Sequence, residues 1–141
     1  MRYKKLNNYA QISMEYIIIL GFVMFVIIGV LGVALFYSGS VKDQIRITQV
    51  NNFAEKVVST AETVYYYGEP SKSTISVYLP ENVKNITIID NELFISTQVS
   101  SGLERRAFSS NVPITGSIST ASGIRKIVIN VAGNQANINS I

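Results

Sequence analysis

Twenty consecutive residues, Ile17 to Phe36, contain no charge, no Asn, no Gln and no Pro. As an α-helix such a run is about 30 Å long, the thickness of the hydrocarbon core of a bilayer. It is therefore read as a membrane span. Outside it the chain is an ordinary polar sequence rich in Ser, Thr and Asn. With 141 residues in all there is room for one domain plus appendages.

The net charge of +3 does not describe a basic surface. Of the twelve basic residues, Arg2, Lys4 and Lys5 fall in the first five positions, which leaves nine against nine acidic residues in the remainder. A nucleic-acid footprint needs a basic excess clustered on one face. The doublets Arg105-Arg106 and Arg125-Lys126 are read instead as solvated strand or loop residues, and no nucleic-acid partner is expected. Cys and His are both absent. That removes thiol nucleophiles, imidazole bases, disulfides and most transition-metal sites together. No motif places a Ser–Lys pair. The expectation is a protein that is not an enzyme, with no cofactor, no catalytic residues and no metal site.

The basic stretch before the span favours a cytoplasmic N-terminus, with Lys42 and everything after it outside. Three readings of this segment compete. A secretory signal peptide cut near Ser38-Gly39-Ser40 is disfavoured, because its apolar region is usually roughly seven to fifteen residues long. An uncut signal anchor would tether a surface domain. The third reading turns on Gln11-Ile12-Ser13-Met14-Glu15-Tyr16. A carboxylate at the mouth of a membrane helix is costly unless it reaches the interface or finds a cation. A cut between Ala10 and Gln11 would create an α-amine at Gln11, four residues from Glu15 and on nearly the same helix face. Glu15 could pair with such an amine within one copy or between neighbouring copies, and pairing between copies would fix axial register, since an unpaired buried charge is strongly penalised.

A short basic leader, a small residue, then Gln-x-Ser-x-Glu-Tyr running into an apolar helix resembles the class III signal peptide of archaeal type IV pilins. The detailed resemblance covers residues 1–36. It implies that residues 1–10 are a leader removed between Ala10 and Gln11 by a prepilin peptidase of the membrane, and that Glu15 becomes the fifth mature residue. It also implies a homo-oligomeric helical filament outside the cell, used for adhesion or surface attachment. An assembly ATPase and a membrane platform protein would be its partners. Archaellins share the processing but typically carry Gly-rich segments and no such glutamate. The competing function is an uncleaved, signal-anchored, monomeric binding module at the cell surface.

Beyond the span, apolar residues at Val41, Ile45, Val50, Phe53, Val57, Ala61 and Val64 make one stripe on an amphipathic helix. The predicted helix covers 11–67, with 17–36 in the membrane or filament core and 41–66 as its amphipathic outer half. Gly68-Glu69-Pro70 stops it. Ser38-Gly39-Ser40 is poor helix material, and Ser40-Val41-Lys42-Asp43 fits a capping box, so both a continuous helix and a break there are open.

From Ser73 onward the period becomes two. Strands are predicted around Ile75–Leu79, Lys84–Ile89 and Leu93–Val99, the last two joined by a turn at Asp90-Asn91. Weaker ones follow at Ile114–Ile118, Ile124–Val131 and Ala136–Ile141. The fold class is α+β: a long N-terminal helix packed by a small antiparallel sheet domain at 71–141, with the stripe from Val50 to Val64 covering the sheet.

Asn85-Ile86-Thr87 is the one Asn-x-Ser/Thr sequon in the chain. It reads either as a glycan acceptor or as a strand residue with a local hydrogen bond. Tyr65-Tyr66-Tyr67, with Tyr78, is expected to pack on its own sheet rather than to form a contact surface. The spacing of Glu81, Asp90 and Glu92 fits no compact calcium loop. Gly21, Gly29 and Gly32 allow close helix approach but form no Gly-x-x-x-Gly motif.

Overall fold

The structure is a computed structural model that describes the backbone of residues 8–141 and the side chains of residues 14–141. Most of the expected leader, residues 1–7, lies outside the described residues. One helix, α1 (Asn8–Tyr67), precedes seven strands. The chain divides into a unit ending at Ser40 and a second unit, Val41–Ile141.

Among its described residues the first unit is helix alone. Its large side chains from Met14 to Tyr37 are 45–83% exposed. Helical structure persists through Ser38-Gly39-Ser40, so the break that the capping box allowed does not form. The Ser40 hydroxyl turns back instead and donates to the Tyr37 carbonyl at 2.9 Å. A Ser that bonds the preceding turn offers its oxygen locally rather than to a new N-terminus.

In the second unit α1 ends where expected. Gly68 takes a left-handed φ of 74° and its N–H reaches the Tyr65 carbonyl at 2.9 Å. Glycine adopts this conformation without a Cβ clash, and Pro70 cannot continue the helix. The strands are β1 (Lys72–Leu79), β2 (Val83–Ile89), β3 (Glu92–Val99), β4 (Gly102–Ser109), β5 (Ile114–Ser117), β6 (Gly123–Ala132) and β7 (Gln135–Ser140). They form a four-stranded sheet, β1-β6-β7-β5, and a three-stranded sheet, β2-β3-β4, with β5 and β2 adjacent. The domain is therefore α+β with two sheets rather than one. It is mixed rather than wholly antiparallel, because β5 runs parallel to β7.

Two tight hairpins explain the registers. Asp90 and Asn91, between β2 and β3, have φ of 51° and 64°; Gly133 and Asn134, between β6 and β7, have 63° and 60°. Positive φ at both central residues belongs to the two-residue turn whose twist matches paired strands, and Asn, Asp and Gly tolerate it best.

The core is one cluster. Val50, Phe53, Ala54, Val57, Val58, Ala61 and Val64 on α1 meet Leu79, Leu93, Ile95, Ile127, Ile129 and Ile138 from both sheets. Fully burying a Val, Leu, Ile or Phe side chain contributes about 1.5–3 kcal/mol, so the helix stripe is integral to the domain. The stripe begins later than its sequence period indicated. Val41 and Ile45 are 55% and 53% exposed; the strand residues that cover α1 bury it only from Val50 onward.

Carboxylates on and after α1 also fasten the loops. Asp43 accepts from the Ser100 N–H at 2.9 Å and Glu62 from the Asn111 N–H at 2.8 Å. Just past the helix, Glu69 accepts from the Gly133 N–H at 2.8 Å. Hydrogen bonds to charged acceptors are the stronger class.

Candidate functional site

The residues that the sequence singles out fall in two places. The first is the N-terminal part of α1. Ala10 and Gln11 belong to its helical backbone, and their side chains lie outside the described residues. Glu15 is exposed, one turn beyond Gln11, at the start of the apolar stretch. Positions four apart on a helix share a face. From Ile17 to Phe36 the helix is apolar all round, and nothing in the described chain covers that stretch. Its length and composition suit a membrane span. Gly21, Gly29 and Gly32 have open space where a Cβ would stand.

The second place is the surface of the sheet domain. Asn85 lies on β2, exposed, opposite Ser96 of β3. The ladder is irregular between Val83 and Asn85. An extra residue in one strand bends it and re-aims side chains. Ile86 turns into the core, so Asn85 and Thr87 share the solvent face. The sequon is thus accessible, with its hydroxyl residue on the same side.

The tyrosines divide. Tyr65 packs on the core and donates to the Asn134 side chain at 3.1 Å. Tyr66 and Tyr67 are 72% and 78% exposed. Packing of the whole cluster on the sheet is therefore corrected. Three consecutive positions of a helix point about 100° apart, so one can face the sheet while its neighbours turn away.

The arginine doublets are strand residues, as read, but not all solvated. Arg105 stacks 4.3 Å over the Phe94 ring on the outer face of the three-stranded sheet. Arg106 points the other way, pairs with Glu104 at 2.7 Å and reaches the Asn51 side chain on α1. Among the described residues no three His, Cys, Asp or Glu side chains converge on a possible metal position.

Two open grooves flank α1 and were not read from the sequence. One, with volumes of about 270 and 210 Å³ end to end, runs between α1 and β1 past Lys42, Gln49, Lys56 and Tyr78. The other, about 340 Å³, lies between α1 and β4 past Glu55, Glu62 and Phe108. A helical wheel separates these charges, but only the sheets' positions show that each set lines a groove. No protein-family profile, curated protein or solved structure is significantly similar to this chain.

Proposed function

We propose that this chain is the precursor of a structural subunit of an extracellular filament of the archaeal type IV pilus kind. The observation that carries the reading is the sequence Gln11-Ile12-Ser13-Met14-Glu15-Tyr16 at the mouth of an apolar helix that the described residues leave uncovered. A large exposed apolar surface marks a membrane or a protein contact. A pilin uses both in turn: lipid covers the helix in the precursor, and neighbouring copies cover it in the fibre. In this reading residues 1–10 stay cytoplasmic until a prepilin peptidase removes them, the sheet domain stands outside, and an assembly ATPase with a membrane platform drives extraction. The sheet domain would coat the fibre, with Asn85 as a glycan acceptor on its solvent face.

The test is mass analysis of the N-terminus, from native membranes and from sheared surface fibres, with electron microscopy of the fibres. Fibre subunits that begin at Gln11 support the reading. Subunits that begin at Met1 or Arg2, or a chain found only as monomer in the membrane, refute it and favour the tethered binding module.

A further inference from the structure

The grooves beside α1 carry opposite charge. At about 100° per residue, Gln49 and Lys56 stand roughly 100° to one side of the buried stripe, and Glu55 and Glu62 roughly 130° to the other. The basic groove is lined by Lys42 and Lys56 with Ile45 and Tyr78, which are 53% and 48% exposed. Arg46 also lines it, but Asp43 holds that guanidinium at 2.9 Å, and Glu81 is its one acidic member. Among the described residues the ion pairs are Asp43–Arg46 and Glu104–Arg106, so Lys42 and Lys56 enter none. The acidic groove is lined by Glu55 and Glu62 with Val58, Ser59 and Phe108, and no basic residue lines it.

We propose that the two grooves are the two halves of one contact, and that its occupant is a second copy of this chain. The acidic flank of one copy, Glu55 and Glu62, seats against the basic flank of the next, Lys42 and Lys56. The two halves lie on different flanks of α1, and in this proposal each engages a different neighbour, so the contact is heterologous. Such a contact propagates from copy to copy rather than closing as a two-fold dimer. The charges choose the partner and its direction. Ile45 and Tyr78 on one side and Phe108 on the other supply apolar surface to remove from water. The inference deepens the filament reading by naming the lateral contact of its outer layer. It is open to a measurement that does not require fibres.

The chain has no native Cys, so introduced thiols are the only ones. Gln49→Cys marks the basic groove and Ser109→Cys the acidic one. Ser109 borders the same groove as Glu62, which is about 20 Å along α1 from Gln49. Ser109 is two residues from Asn111, whose N–H bonds Glu62, and borders the opposite flank of α1 from Gln49, so any link within one molecule would have to run around the helix and would read as monomer, not as ladder. The full-length double variant, cross-linked in native membranes, is expected to give a ladder of trimers and larger species on a denaturing gel. Each single variant should stay monomeric. Adding Lys56→Glu should cut the ladder several-fold, and adding Glu55→Lys to that should restore it. Raising salt from 0.1 to 1 M, which shortens the screening length from about 10 to about 3 Å, should also reduce it. Protease resistance of the sheet domain checks folding, and Tyr78→Cys replaces Gln49→Cys if that variant is unfolded. A double variant without a ladder, single variants that dimerise, or a ladder indifferent to Lys56→Glu would each overturn the proposal. Fibres with no ladder leave the filament reading standing without this contact, and a ladder without fibres does the reverse.

Discussion

Truncating Phe53 tests whether the helix is part of the sheet domain's core. The ring is 2% exposed, on the buried stripe of α1. Phe→Ala in a core costs about 3–5 kcal/mol, the transfer of the ring plus the cavity left behind. Here the neighbouring groove, about 270 Å³ and lined by Phe53 and Val77, is open to solvent. The vacated space joins that groove instead of sealing as a void, which places the expected loss near the lower end, about 3 kcal/mol. For a unit of this size, Val41–Ile141, 1 kcal/mol moves Tm by about 4–8 °C, so Phe53→Ala should melt at least about 12 °C lower. The assay is near-ultraviolet circular dichroism of the full chain in detergent, which follows the tyrosines as their packing is lost. Phe25→Ala, in the apolar stretch and 74% exposed, is the control and should leave that transition unmoved. A Phe53→Ala melt within about 5 °C of the parent would mean a loss near 1 kcal/mol or less. The helix would then not hold the sheets, and a module standing free on a linker would account for the chain better.

Three further outcomes are expected. Gly116 has φ 130°, and a Cβ there would run into the Ile138 backbone carbonyl across the parallel β5–β7 pair. Gly116→Ala should therefore destabilise the domain by about 2–3 kcal/mol in the same melt, and an unchanged Tm would refute that close approach. Ser100, through its hydroxyl and its N–H, and then Arg46, hold the Asp43 carboxyl below the usual carboxylate range. A depressed carboxyl stabilises above its unfolded pKa and ceases to as pH falls through the folded value. The protection factor of the Ser100 amide, its exchange relative to an unstructured peptide at the same pH, should thus fall below about pH 4, and Asp43→Asn should remove that fall; a protection factor in the parent that stays constant down through that range would contradict it. Glu15→Gln should permit membrane insertion and cleavage but leave processed subunit in the membrane with few fibres by electron microscopy, whereas normal fibre number would deny the carboxylate an assembly role.

What could be read from the sequence follows from which forces are local. The helix stop at Gly68 and the turn at Asp90-Asn91 are written in backbone chemistry, and both fall where expected. The strands β1, β2, β3 and β6 alternate visibly because one face of each is buried. β4 was not expected, since Gly102–Ser109 carries Glu104, Arg105 and Arg106 where a strand pattern calls for apolar residues. Two of its inward positions are filled by an ion pair, Glu104–Arg106, that reaches Asn51, with Phe108 the one large apolar residue on that face, and no window of eight residues reveals a partner fifty positions away. The parallel β5–β7 pairing escaped for the same reason. Val41 and Ile45 continue the apolar period of the helix, yet periodicity says only which face is apolar and not how far along it the strands extend. At the N-terminal end the reading rests on the motif itself. Glu15 is exposed at the start of the uncovered stretch.

That stretch constrains how any assembly can proceed. Nineteen large side chains from Met14 to Tyr37 are 45–83% exposed. Burying such a side chain fully contributes about 1.5–3 kcal/mol, so covering their exposed part is worth on the order of 15–30 kcal/mol as an upper bound. A domain of this size is typically stable by only about 5–15 kcal/mol. In the proposed function, then, the helix cannot pass through water on its way from membrane to fibre, and lipid contacts have to be exchanged for contacts with other copies step by step. Once the helix is in lipid, however, apolar area no longer favours the fibre, because lipid tails cover Ile and Leu as well as another helix does. Something other than hydrophobicity must distinguish the two states. The apolar run offers close packing at Gly21, Gly29 and Gly32, and its entrance offers one charge, Glu15. A carboxylate is poorly accommodated in hydrocarbon and well accommodated beside an amine. The new terminus at Gln11 is the amine that processing would supply, and in the proposed function cleavage and assembly would be consecutive uses of the same six residues.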